Sequence, residues 1–197
     1  MTREELLQLF KNRNWEIIKN ISFDNLVALL NYQECMSLAY DLFAENIGED
    51  DYLDLSIRLF FFIRDNFLEE WNTDWKNDAF LGQLCGLTWR YSQRFDCYKR
   101  AYDKLSDPPD SLLLLISGSN STPDAPPISD QESEMYLKRA LAKKLTFEAA
   151  VKMRGLARRK KDSNLEIYWD KMCKELKQKN IHVEAIIPFL FQNKIIP

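Results

Sequence analysis

The chain has 197 residues, of which 46% are hydrophobic and 13% aromatic; that is enough to bury a sizeable core and excludes the depleted composition of a disordered segment. Its formal net charge of −3 hides an asymmetry, because residues 1–110 carry 12 Lys/Arg against 20 Asp/Glu while residues 111–197 carry 15 against 10. The longest apolar runs, residues 59–63 and 112–116, fall far short of the ~20 apolar residues that a membrane-spanning helix needs.

From the N-terminus, Thr2 with Glu5 forms the Ser/Thr-x-x-Glu arrangement that caps a helix start. Glu4 and Glu5 also stand where a secretory signal requires a basic region and an apolar run, so a cytoplasmic protein is expected. Asn31 with Glu34 opens the next strong element, whose stripe Cys35, Leu38, Ala39, Leu42 and Phe43 has the 3.6-residue period of a helix with one buried face.

An acidic stretch follows over residues 41–78, with 11 Asp/Glu against three Lys/Arg. It supplies the expected protein-binding residues Glu45, Glu49, Asp50, Asp51, Asp54, Glu70, Trp71, Asp74, Trp75 and Asp78. Aromatic anchors beside complementary charge are what tight interfaces use, the charge supplying association rate and register. The i, i+4 spacing of Trp71 and Trp75 equally suits two core residues on one helix face.

Phe80, Leu84, Leu87, Thr88 and Tyr91 predict a further helix, and Tyr98, Ala101, Tyr102 and Leu105 its partner. Gly86, Trp89, Tyr102 and the Pro108-Pro109 stop follow one another in an order that resembles one tetratricopeptide repeat, over residues 82–109. That family stacks antiparallel helix pairs to grip partner proteins, and the resemblance implies such a pair here.

Five of the seven prolines fall between Asp107 and Gln131, which predicts a Pro/Ser-rich linker over 111–130 with room for a turn or two at 111–116 and disorder over 117–127. It would separate an acidic helical half, 1–110, from a basic one, 131–197, the two packed together as one domain. In the second half Ser129 with Glu132 and Ser163 with Glu166 mark helix starts. The predicted buried stripes are Leu137, Ala140, Leu141 and Leu145; then Leu165, Tyr168, Met172 and Leu176; then a last short helix with Val183, Ile186, Ile187 and Leu190, kinked at Pro188.

The basic segment 138–161 holds ten Lys/Arg against the single acid Glu148. Lys138, Arg139, Lys143, Lys144, Arg154, Arg158, Arg159, Lys160 and Lys161 are therefore the alternative site, for the phosphates of a nucleic acid. No stacking aromatics are interleaved with them as in single-strand binders.

With no alternating apolar pattern and no Asn-Gly or Asp-Gly hairpin turn, the expected fold is all-α: a bundle or short solenoid of about eight or nine helices in antiparallel pairs. The four cysteines contain no C-x-x-C pair and there is one histidine, His182, so reduced thiols and no metal or other cofactor are expected. Glu70, Asp74 and Asp78 share helical spacing, but helical di-metal sites add Glu-x-x-His pairs that one histidine cannot supply. No phosphate loop or nucleophile elbow is present, which argues against an enzyme. At the level of class, a small acidic helical chain of this kind resembles bacterial immunity proteins and antitoxins, and the resemblance implies a protein partner such as a cognate toxin, for example a cationic nuclease, neutralised by direct binding.

Overall fold

A computed structural model describes residues 1–45, 50–121, 127–184 and 186, and every regular element among them is helical. Twelve α-helices occur among the described residues. Nine have eight or more residues, and the other three, of four or five residues, are too short to carry a visible period. Packing divides the chain into two units, the first comprising residues 1–77 and 187–197 and the second Asp78–Ile186.

The first unit holds α1 (Arg3–Lys11), α2 (Trp15–Ile18), α3 (Phe23–Val27), α4 (Tyr32–Glu45), α5 (Asp50–Asn66), α6 (Leu68–Trp71) and the first turn of α7 (Trp75–Leu87). Thr2 caps α1 through a reciprocal pair of bonds with Glu5, and Asn31 and Glu34 make the same exchange at the head of α4. α5 folds back along α4: the Ser56 hydroxyl, deep in the core, donates to the Ala39 carbonyl at 2.7 Å, and both residues lie six positions from the connection. Around this pair Leu6, Ile18, Leu26, Met36, Leu42, Ile57, Phe60 and Ile63 form the core, closed by Trp71, which is 0% exposed and packs on Phe60 at 6.3 Å between ring centroids.

The second unit continues α7 and adds α8 (Tyr91–Asp103), α9 (Asp110–Ser117), a 3₁₀ turn (Gly118–Ser121), α10 (Asp130–Lys143), α11 (Phe147–Arg159) and α12 (Ser163–Gln178). α9 is the turn or two expected at 111–116, and it is central to the unit. Leu112, Leu113, Leu114 and Ile116 are buried, and α10 packs along the helix. Burying these four apolar residues, which are spread round most of the helix, offsets the stops on either side. Of the stretch in which disorder is expected, 117–121 is ordered helix end and 3₁₀ turn, while 122–126 lies outside the described residues.

Three local expectations are corrected. α7 ends at Leu87, so Thr88 and Tyr91 do not continue its stripe, and Leu87 and Trp89 face solvent. α12 starts one residue later than Ser163 as cap implies: Asp162 is the N-cap and accepts from the Leu165 N–H at 3.0 Å. Its buried stripe is Trp169, Cys173 and Leu176, with Tyr168 turned outward. Residues 181–184 and 186 are not helical, and Ile187, Pro188 and Leu190 lie outside the described residues.

Candidate interaction surfaces and an interior lysine

The packing units divide at Asn77 and Asp78 rather than at residue 110, and they too differ in charge. The first carries 8 Lys/Arg against 15 Asp/Glu, the second 19 against 15. In the first unit the acids are poorly compensated. Asp51 and Asp54 project from the first turns of α5 into solvent, where the positive end of the helix dipole stabilises carboxylates. Beyond the far end of that helix, Glu69 and Glu70 are exposed on α6 beside Leu68, itself 52% exposed, with Asp74 and Trp75 half-buried just after. No ion pair holds Asp51, Glu69, Glu70 or Asp74 among the described residues.

These acids form two patches rather than one. Asp54 and α6 stand at opposite ends of α5, ~18 Å apart at 1.5 Å per residue. Two of the expected binding residues do not reach the surface. Trp71 lies wholly inside the core, and Asp78, 0% exposed, is ion-paired with Lys104 Nζ at 2.6 Å and Arg100 Nε at 3.4 Å, which makes it an internal tie between α7 and α8. Glu49 lies outside the described residues, as do the side chains of Glu45 and Asp50. Glu69 and Leu68, outside the predicted set, belong to the exposed patch; only burial distinguishes them from the neighbouring Trp71.

The basic segment is mostly neutralised inside its own unit. Lys138 and Lys160 both reach Glu134, Arg154 meets Asp170 at 2.7 Å, Arg158 meets Glu166 at 2.7 Å, Arg159 meets Asp130 at 3.0 Å, and Lys143 pairs with Asp107. The bonds from Lys160 and Lys138 hold the Glu134 carboxyl below its usual range, as those from Lys174 and Arg154 do for Asp170. Arg139 donates to the Tyr102 hydroxyl and lies over its ring. Lys144 and Lys161 are exposed and make no ion pair among the described residues. The acids that answer 158–161 come from other helices and are not apparent from sequence neighbours.

One cation of that segment, Lys152, is absent from both predicted sets. It lines a cavity of about 160 Å³ with Leu114, Leu115, Glu148, Val183 and Ile186. The irregular segment 181–184 is tied to α11 at this point: Phe147 N–H donates to Ile181 O at 2.9 Å, and Glu148 accepts from the Val183 N–H at 2.8 Å and meets His182 Nδ1 at 2.6 Å. Burial acts to raise the Glu148 pKa, but these bonds outweigh it and the net direction is down.

All four cysteines are free and buried, and burial pushes the Cys35 thiol up to about 12. Among the described residues no cluster of three or more His, Cys, Asp or Glu could hold a metal ion, and no helix is long and apolar enough to cross a membrane. Compared with protein-family models, curated proteins and solved structures, the chain matches none.

Proposed function

We propose that this chain is a non-catalytic, cytoplasmic protein-binding module, which engages a cationic partner protein through the acidic surface of its first unit, in the manner of an immunity protein or antitoxin covering its cognate toxin. The observation that carries this reading is the contrast in compensation. Asp51, Glu69 and Glu70 face solvent without cationic partners, whereas six of the nine basic residues of the alternative site are ion-paired within the second unit. Uncompensated charge creates the field that speeds association, and a half-exposed Leu68 beside Glu69 and Glu70 supplies an apolar contact inside an acidic rim.

The test is capture of partners on the tagged full chain from its native cells, with and without nuclease, followed by mass spectrometry. A stoichiometric basic protein that survives nuclease supports the reading. Loss of all bound material on nuclease treatment transfers the function to the basic segment and a nucleic acid.

A further inference from the structure

The cavity lined by Lys152 lies wholly within the second unit, and its walls come from α7, α9, α11 and the segment that follows α12. Leu114 and Leu115 of α9 face it together with Val183 and Ile186 of that segment, so most of the wall is apolar. Its volume is about 160 Å³. An engineered cavity of ~150 Å³ takes up benzene, so a hydrocarbon body of about four to six carbon atoms fits here and a large cofactor does not.

Three charged side chains share this lining, and one of them is answered within the protein. Both oxygens of Glu148 are engaged, one by His182 Nδ1 and the other by the Val183 N–H, which also fixes the segment against α11. Lys152, one turn further along α11, is half-buried and meets no carboxylate or other hydrogen-bond acceptor among the described residues. Its Nζ stands beside Gly118, where an added Cβ would lie 2.6 Å away, at the C-terminal end of α9. Burial is the largest of the effects that push its pKa down. Glu184, on the segment, is exposed and makes no ion pair or hydrogen bond among the described residues. Lys152 and Glu184 therefore line one cavity without pairing with each other.

An unanswered cation and an unanswered anion around an apolar space select a ligand by its charge pattern. A simple anion is repelled by Glu148 and Glu184, and a simple amine is repelled by Lys152. A small zwitterion satisfies both ends, its carboxylate accepting from an ammonium and its own ammonium donating to a carboxylate, while the apolar wall takes its hydrocarbon. An α-amino acid carries these three groups on one carbon. We propose that the cavity binds a free α-amino acid with an apolar side chain, Lys152 holding its carboxylate and Glu184 its ammonium group. The neutral donors and acceptors of Gln83 and Ser111 complete the lining.

The experiment is calorimetric titration and thermal melting of the full chain with L-leucine, for the wild type, Lys152→Met and Glu184→Gln. Three further probes each lack one group: isocaproate the ammonium, isoamylamine the carboxylate, and glycine the hydrocarbon. Saturable binding of leucine with a rise in Tm is expected for the wild type, with a loss of affinity of about tenfold or more in each variant, as for other hydrogen bonds between charged groups. Each of the three reduced probes should bind more weakly than leucine. Glu184→Gln alters an exposed position and keeps the test decisive should Lys152→Met fold poorly. Absence of saturable leucine binding to the wild type, unchanged affinity in the variants, or equal binding of isocaproate or isoamylamine overturns the assignment. None of these results depends on the acidic surface of the first unit.

Discussion

Among the described residues, four other than glycine hold positive φ, Arg13 (54°), Trp89 (61°), Lys161 (56°) and Asn180 (53°), and each stands two places after the last residue of a helix. In every case the next N–H reaches back to close the helix end: Asn14 to Leu9 O, Arg90 to Cys85 O, Asp162 to Ala157 O and Ile181 to Leu176 O. These are Schellman caps built at positions where glycine is the usual residue. Helix starts were legible because Thr2, Asn31 and Ser129 carry the capping oxygen in their side chains. The stops were not, because no glycine marks them, and the predicted stripe through Thr88 and Tyr91 ran past one. Lys161, exposed and making no ion pair, pays the left-handed penalty without a compensating contact, so Lys161→Gly should raise stability by about 1 kcal/mol in denaturant unfolding.

Lys152 gives a residue-scale prediction with a definite sign. Its folded pKa lies below the ordinary 10.5, so between the two values the unfolded chain binds more protons than the folded one and stability rises with pH. The contribution is full above 10.5 and is lost as pH falls through the folded value. Comparing wild type with Lys152→Met isolates it: the wild type should gain stability relative to the variant as pH rises toward 10.5, and parallel profiles would contradict a half-buried lysine held below its ordinary pKa.

At the scale of elements, the 3.6-residue period located the long helices, but exposure depends on what packs against them. The stripe on α12 is turned by one residue from Tyr168 to Trp169, since two apolar rings adjacent in sequence leave the period to be settled by packing. α9 had no polar face to reveal which side was buried, since five of its eight residues are buried and Leu115 between them is half-buried. The contact of α7 with α8 rests on Gly82. A Cβ there would stand 2.5 Å from the Tyr98 ring and 3.1 Å from the Arg94 carbonyl, and Tyr98 is itself buried and unable to swing away. Gly82→Ala should therefore cost about 1–3 kcal/mol by overpacking, in spite of the better helix propensity of alanine, and a neutral or stabilising result would show that the two helices can separate without cost.

For the whole molecule, an excess of acid toward the N-terminus was visible in the sequence, whereas the boundary between packing units, within α7 between Asn77 and Asp78, was not. Which charges remain available was not visible. Ion pairs such as Arg158 with Glu166 and Lys160 with Glu134 join residues of different helices, so a run that reads as strongly basic becomes largely self-neutralised. Trp71 and Asp78 were lost from the acidic surface for the same reason, since one tryptophan fills the core and one carboxylate joins two helices.

The most direct test of the acidic surface compares capture by the wild type with capture by a variant carrying Asp51→Lys, Glu69→Lys and Glu70→Lys, all exposed positions that leave the core intact. After nuclease treatment and at low salt, the wild type should retain a basic protein in stoichiometric amount and the variant should lose it through slower association. Equal retention by both, or retention by neither, would contradict the assignment of partner binding to the first unit.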